Sequence, residues 1–345
     1  MKSEKNNVTI KDVARLAEVS TATVSKVMNG SSRISTETIG RVNKAIEKLN
    51  YRPNSIARSL RQNKTRTIGL INNSKSNKNT FVLQLMVGVE EQARKHGFST
   101  FLCNSAASQT QENEYLDILL DKQVDGLIFL NNVVKSRALP DIALGNLPYI
   151  FLNQYSSQSG FPSVIPDDYQ GAFTATEHLT RLGHTRIAFI NGRLKHEACA
   201  HRLRGYKDAL QQAGLDVDSG LIEGQDTWNE EGGYVSAKRL MARQHCPSAI
   251  FCANDSLAFG ALDGLKELGL GVPKDMSLIG FDNSLATQQK RPPLSSIALP
   301  FSAMGKLAVD LLVESLKGEE LKQGIHRISC PLVERKSCDV PIVKS

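Results

Sequence analysis

Residues 1–66 carry 14 Lys and Arg against 5 Asp and Glu, whereas the rest of the chain carries 28 against 30. The net charge of +7 is therefore the property of one end. Clustered ammonium and guanidinium groups neutralise phosphate oxygens, and here they are interleaved with apolar residues at helical spacing rather than blocked together as in a solvated tail. Catalytic and metal chemistry is harder to find. His196, Glu197 and His201 look like a zinc helix, but the histidines stand five apart and so do not share a helical face. No Gly-x-Gly-x-x-Gly follows a strand, and neither a P-loop nor a Gly-x-Ser-x-Gly elbow is present. The six cysteines (103, 199, 246, 252, 330 and 338) form no Cys-x-x-Cys pair and read as reduced cytosolic thiols. The sequence thus predicts no catalytic residue, no metal and no cofactor.

Three short helices have to carry the basic surface. Thr9 can cap the first, with Asp12 completing a capping-box-like pair. Val13, Leu16 and Ala17 sit at helical spacing, and Ala14 is small enough to let a second helix cross closely. A turn around Glu18 and Val19 leads to Ser20, a good cap, after which Val24, Val27 and Met28 point inward until Asn29-Gly30 stops the helix. A third helix opens at Ser35, with Ile34 and Ile39 spaced as a hydrophobic staple and Val42, Ile46 and Leu49 as its buried stripe. Two short helices across a tight turn, braced by a third, make a helix-turn-helix, and the expected partner is duplex DNA. The stretch after Pro53 is too short for a stable isolated helix, although Asn54 or Ser55 can cap it and Ile56, Ala57 and Leu60 share one face.

From Thr67 onward β-rich runs alternate with helical ones. Strands are expected at 67–71, 100–103, 126–130, 149–152, 187–190, 221–223, 249–252 and 277–281. Helices are expected at 81–96, 112–122, 169–182, 202–213, 230–243 and 257–268. Gly97, Gly183, Gly214 and Gly269 each end a helix before the next strand, as parallel βα units require. Some 280 residues are large for one core, so the expected fold is an α/β unit of two doubly wound lobes behind an all-α head. Ligands of such sheets bind outside the carboxyl ends of the strands. That points to Asp282 directly after Leu-Ile-Gly-Phe, to Asn254, and to Asn73, Ser74, Asn104 and Ser105 after the first two strands. Asp255 reads as the cap of the following helix. Trp228, the single tryptophan, is either a stacking platform for a sugar face or a packed core residue. With neither a signal peptide nor an apolar run of membrane length, a cytoplasmic location without membrane contact is expected.

Thr-Ile-Lys-Asp-Val-Ala (9–14), Val-Ser-Thr-Ala-Thr-Val-Ser-Lys-Val-Met-Asn (19–29), Tyr-Arg-Pro-Asn-Ser-Ile-Ala-Arg-Ser-Leu (51–60) and Met-Ser-Leu-Ile-Gly-Phe-Asp-Asn (276–283) resemble the LacI/GalR family of bacterial transcription regulators, from Thr9 to about Lys336. The resemblance implies that the second helix enters the major groove with Thr21, Ala22 and Lys26 toward base edges. Lys26 can donate to guanine O6/N7 and Thr21 can reach a base or a phosphate. Ala22 offers a methyl contact only, a departure from relatives with a polar residue there. A hinge helix (about 53–61, with Ile56 and Ala57) would pair with its copy from a second subunit, and Leu60 would wedge into the minor groove with Arg61 nearby. The implied domains are 1–62 for DNA binding and 63–345 for effector binding and dimerisation. The latter would form periplasmic-binding-protein-like lobes at about 66–164 with 298–330 and at about 165–297 with 331–345. Matching family positions make Asp282 and Arg202 effector contacts, with Asp167, Asp168 and Phe301 as further ones. The function implied is an effector-responsive repressor of carbohydrate-related genes, a homodimer on a pseudo-palindromic operator. Its effector could be a sugar or sugar phosphate. The alternative is control by a phosphocarrier protein, as in carbon-catabolite regulators. An enzyme with a DNA-binding appendage is disfavoured by the missing nucleophile–base pair. No leucine heptad follows Arg335, so a dimer rather than a tetramer is expected.

Overall fold

The computed structural model describes residues 8–28, 34–51, 64–74, 80–131, 134–137, 144–156, 160–193, 195–224 and 226–342. The chain divides into two compact units, Met1–Thr65 and Arg66–Ser345.

In the first unit α1 (Ile10–Leu16), α2 (Thr21–Met28) and α3 (Thr36–Leu49) close over a small core of Val13, Ala14, Ala17, Val24, Val42 and Ala45. Each helix start is built from the residue type the sequence offers. The Asp12 carboxylate accepts from the Thr9 amide (3.0 Å) and hydroxyl (2.7 Å), Ser20 Oγ accepts from Thr23 N (3.1 Å), and Ser35 Oγ accepts from Thr38 N (3.3 Å). Glu18, at φ 53°, takes the left-handed corner of the turn between α1 and α2. Leu16, expected inside, is 41% exposed. The buried face of α1 is centred on Ile10, Val13, Ala14 and Ala17, and at ~100° per residue Leu16 lies roughly 110° from its middle.

The second unit holds two six-stranded sheets. The first runs β13-β7-β5-β3-β1-β2, from β1 (Thr67–Asn72), β2 (Ser99–Asn104), β3 (Gly126–Leu130), β5 (Tyr149–Leu152), β7 (Ser163–Pro166) and β13 (Ile325–Ile328). The second runs β14-β12-β11-β10-β8-β9, from β8 (Ile187–Asn191), β9 (Ile222–Gly224), β10 (Ala249–Cys252), β11 (Ser277–Asp282), β12 (Ser295–Ala298) and β14 (Leu332–Val333). All pairings in these sheets are parallel except β12 with β14. A two-stranded ribbon of β4 (Ser136–Arg137) and β6 (Tyr155–Ser156) follows the ends of β3 and β5. Helices α4 (Thr80–Lys95), α5 (Gln109–Asp121) and α11 (Phe301–Leu316) serve the first sheet. Helices α6 (Asp168–Arg181), α7 (Glu197–Gln212), α8 (Glu230–Met241) and α9 (Asp255–Glu267) serve the second, and the short α10 (Ala286–Gln289) follows β11. The chain passes between lobes after β7, after β12 and after β13.

Parallel strands buried on both faces must be apolar throughout, and β3, β8 and β10 are buried at every position. The predicted helix stops Gly97, Gly183, Gly214 and Gly269 all have positive φ, 72° to 95°. Six strands go beyond the eight expected, among them β7, β12 and β13. These three are four-residue runs beside the interlobe passages, held in place by their neighbours in the sheet rather than by a pattern of their own. Helix α7 starts five residues earlier than expected, because His196, in extended backbone, serves as its N-cap. Arg202 therefore sits inside α7, not at its start.

Candidate functional site

In the helix-turn-helix, Val24 anchors α2 in the core and leaves Thr21, Ala22 and Lys26 exposed. Two turns of a helix thus present a hydroxyl, a methyl and an ammonium outward from a fixed base, a layout that fits reading of a groove. Asp12 lies at the start of α1, where hydrogen bonds from Thr9 hold its pKa below the ordinary value. Ile56, Ala57, Leu60 and Arg61 lie outside the described residues.

In the second unit, the ribbon that follows the carboxyl ends of β3 and β5 reaches from the first lobe to the head of α7 in the second. Tyr155 of β6 donates to the Glu197 carboxylate at the head of α7, and Ser136 N donates to the same carboxylate at 3.2 Å. Burial, followed by the Glu197 carboxylate, pushes the Tyr155 phenol up to about 12.

The second lobe centres its cleft edge on one guanidinium. A row of rings, Tyr206, Phe189, Phe251 and Phe281, runs from the core toward the edge with centroids 5.0–6.5 Å apart. Arg202 lies flat on the last of them, 3.6 Å from the Phe281 centroid. Its Nε donates to Asp168 Oδ1 (2.8 Å), Nη2 pairs with the same oxygen at 2.6 Å, and Nη1 donates to the Ala253 carbonyl. Asp282 Oδ1 stands 3.9 Å from Nη1. Arg202 and Asp168 keep only 5% and 4% of their side-chain surface, Asp282 10%. Burial raises the Asp282 carboxyl well above its usual range, with Arg202 opposing it and Asp255 and Asp168 reinforcing it. Burial also disfavours the Arg202 cation, but Asp168 and Asp282 outweigh it and hold the guanidinium above its ordinary pKa. Asp282 has φ 110°, a strained value for a non-glycine residue at a strand end.

The neighbouring pair departs from expectation. Asn254, read as a ligand contact, is the N-cap of α9: its Oδ1 accepts from Leu257 N (2.8 Å) and its Nδ2 donates to the Trp228 carbonyl (3.1 Å). Asp255, read as the cap, is instead the first helical residue and buried, accepting from Ser296 Oγ (2.6 Å) and Ser284 N (2.6 Å). Burial pushes Asp255 up to about 6. The cap falls one residue earlier than expected because the Asn254 backbone is extended while Asp255 is already helical. Trp228 packs against the second lobe's core cluster, and its Nε1 donates to His196 Nδ1 at 3.0 Å. A Cβ on Gly192 would fall 2.6 Å from the indole, so only glycine fits there. Burial, then Arg193, holds the His196 pKa below its usual value, as an Nδ1 acceptor requires.

Asp167 caps α6 through Gln170 N (3.0 Å). Phe301, expected at the ligand, is 4% exposed inside the first lobe's core, because a side chain at the start of α11 faces the sheet that helix covers. Asn73 Nδ2 donates to Glu112 (3.2 Å) and Ser74 is buried. Asn131, Asn153, Gln154 and Asn191 also end strands here, and sequence reasoning passes over them. The rule that selects Asn73, a polar residue directly after an apolar run, picks out each of them. Among the described residues no group of three His, Cys, Asp or Glu could hold a metal, and no helix is long and apolar enough to cross a membrane.

Comparison with known proteins agrees with both units. Residues 9–54 match the family model for bacterial regulatory proteins of the lacI family, and 176–338 match a periplasmic binding protein-like domain. Catabolite control protein A of Priestia megaterium is 38% identical over 328 residues, 93% of this chain and 98% of that protein. The HTH-type transcriptional repressor PurR of Vibrio atlanticus is 33% identical over 331 residues, 95% and 98% of the two chains. The crystal structure of the lac repressor dimer bound to operator and the anti-inducer ONPF superposes with TM-score 0.77 at 28% identity, covering 97% of this chain and all of that one. These relatives are transcription regulators, and this chain, a DNA-binding transcription regulator, belongs to the LacI family.

Proposed function

We propose that the protein is a homodimeric repressor that binds a pseudo-palindromic operator and is switched by a small polar effector in the interlobe cleft, with a sugar as the leading class. The observation that carries this reading is the buried Arg202–Asp168–Asp282 cluster, set on an aromatic row at the strand ends that face the other lobe. Such a charged cluster is expensive to bury and has a use where a ligand's hydroxyls complete its hydrogen bonds. The effector acts by preferring one interlobe arrangement over another, which biases the hinge residues 53–61 and so the spacing of the two heads. Exposed apolar side chains support a dimer face along α4 and the edge strand β2: Leu83 (61%), Val87 (44%), Phe101 (38%) and Leu102 (53%). The proposed division of labour is residues 1–62 for DNA and 63–345 for effector and dimer.

The test is operator titration by fluorescence anisotropy with and without sugars, beside calorimetry. Lys26→Ala should weaken operator binding by about 1–3 kcal/mol and relax one base position. Leu60→Ala should lose specific affinity while salt-sensitive binding to random DNA persists. If Asp282→Ala, Arg202→Ala and Trp228→Ala all leave the effector response intact, the cleft is not the switch. Control by a phosphocarrier protein partner then takes its place.

A further inference from the structure

The second lobe also opens at the amino ends of its strands, the end opposite Arg202. There one buried histidine ties together the leads into three neighbouring strands, β8, β10 and β11. His184 Nε2 donates to the Asp339 carbonyl (2.9 Å) with Ser277 Oγ 3.0 Å away, so its Nδ1 accepts from Ser248 Oγ (2.8 Å). Ser248 N donates to the Arg186 carbonyl (2.9 Å) and Ser277 N to the Ser248 carbonyl (3.1 Å). A cavity of about 930 Å³ lies over this clamped floor, a volume in the range of sites for small organic molecules.

Its walls are aliphatic: Met241 at the end of α8, Leu268 and Leu270 after α9, Met276 before β11, and Val340 and Ile342. Leu268, Val340 and Ile342 are 44%, 61% and 55% exposed around it. No Phe, Tyr or Trp lines it among the described residues, so the face of a sugar ring or a nucleobase finds nothing to stack on. An alkyl chain needs no such partner and gains affinity from each methylene it buries.

The charges at the rim are unequally engaged. Arg186 Nη2 donates to Asp218 (3.3 Å) and to the His245 carbonyl (2.9 Å), and Lys238 Nζ to Glu267 (2.8 Å) and Tyr234 (3.2 Å). Asp275 turns Oδ2 into its own loop, where it accepts from Gly271 N (2.8 Å). Lys274 is exposed, and its ammonium has no hydrogen bond or ion pair among the described residues. It is the lining cation without a partner, beside an apolar hollow.

We propose that this distal cavity binds a fatty acid, with the alkyl chain against Met241, Leu268 and Met276 and the carboxylate on Lys274. The site is separate from the effector site proposed above and does not depend on it. The test uses the full-length protein with decanoate, dodecanoate and 1-decanol, the acids kept below their micelle thresholds. Calorimetry should find one acid per chain, dodecanoate binding more tightly than decanoate. 1-Decanol, with the same chain and no charge, should bind at least about tenfold more weakly than decanoate. Lys274→Glu should weaken dodecanoate about tenfold or more and leave the unliganded Tm unchanged, since Lys274 has no partner to lose. Cys246 provides a second readout, because it lines the cavity and is exposed whereas Cys103, Cys199, Cys252 and Cys330 are buried. With dodecanoate at roughly ten times its Kd, maleimide labelling of Cys246, followed by peptide mapping, should slow about tenfold by mass action. Decanol binding as tightly as decanoate, or Lys274→Glu without effect on affinity, overturns the carboxylate assignment. Acid that binds without protecting Cys246, or that gives neither heat nor protection, overturns the site. A Cys246 that reacts only once the protein is diluted into single subunits marks the cavity as covered by a second copy and overturns it as well.

Discussion

The two lobes share one plan, six mostly parallel strands with helices on both faces, yet their cleft edges carry opposite chemistry. The second lobe presents Arg202 paired with Asp168 and near Asp282, with Asp255 held by Ser296 and Ser284 and close enough to raise the Asp282 carboxyl. The first presents Asn72, Asn73 and Gln154, neutral amides that each keep one atom unpaired, beside Asn131 and Asn153. A charged cluster must be satisfied within its own lobe before a ligand arrives, because an unpaired buried charge is far costlier than an unpaired amide. The division of roles follows. On one lobe Arg202 and Asp168 are already paired, with Asp282 3.9 Å from the guanidinium, and on the other the amides keep atoms unpaired.

The largest effect that distinguishes the lobes is expected at Arg202. Arg202→Leu leaves the buried Asp168 and Asp282 without their cation, so urea unfolding should show a loss of about 3–5 kcal/mol, whereas Gln154→Leu on the other lobe should cost nothing. Equal losses would break the comparison. Next in size is a pH effect confined to the second lobe. Asp255 titrates at about 6 in the fold and near 3.8 when unfolded, so the folded state holds a proton that the unfolded chain releases. Stability from this group therefore falls as pH rises from about 4 to 6 and stays low above. The fall amounts to about 2–3 kcal/mol, since each tenfold difference in proton affinity between the folded and unfolded chain is worth about 1.4 kcal/mol. Asp255→Asn should remove that slope from the difference between variant and wild-type urea melts; an unchanged slope assigns the proton elsewhere.

A smaller effect joins the two lobes. Tyr155→Phe deletes the hydrogen bond to Glu197 across the cleft and should weaken closure by about 0.5–1.5 kcal/mol, read as a several-fold loss of effector affinity. Unchanged affinity would mean that the ribbon does not latch the lobes. The smallest is spectroscopic. His196 must be neutral to accept from Trp228, and its folded pKa lies below the unfolded value, so this contact is present at neutral pH and lost on acidification. Fluorescence of the single tryptophan should titrate below pH 6.5, the ordinary histidine value, and His196→Gln should flatten the curve.

Much of this molecule is legible in the chain because its signals are local. The caps Thr9, Ser20 and Ser35 act on backbone groups three residues away, and the glycine stops act on the turn they occupy. Buried parallel strands announce themselves as apolar runs. The positions that local patterns misplace are those whose partners come from far along the chain. Arg202 lies inside a helix that His196 caps and Asn254 rather than Asp255 caps α9, while the partners that hold Arg202 and Asp255, Asp168 and Ser296, lie 34 and 41 residues away in sequence. Helix-turn-helix, two-lobed α/β body and basic head were set by composition and periodicity, which depend on each residue and its near neighbours. Which carboxylates surround the guanidinium, which amides go unpaired and which tyrosine reaches across the cleft were decided by tertiary structure, since each depends on strand ends brought together only when two separate sheets have formed and faced one another.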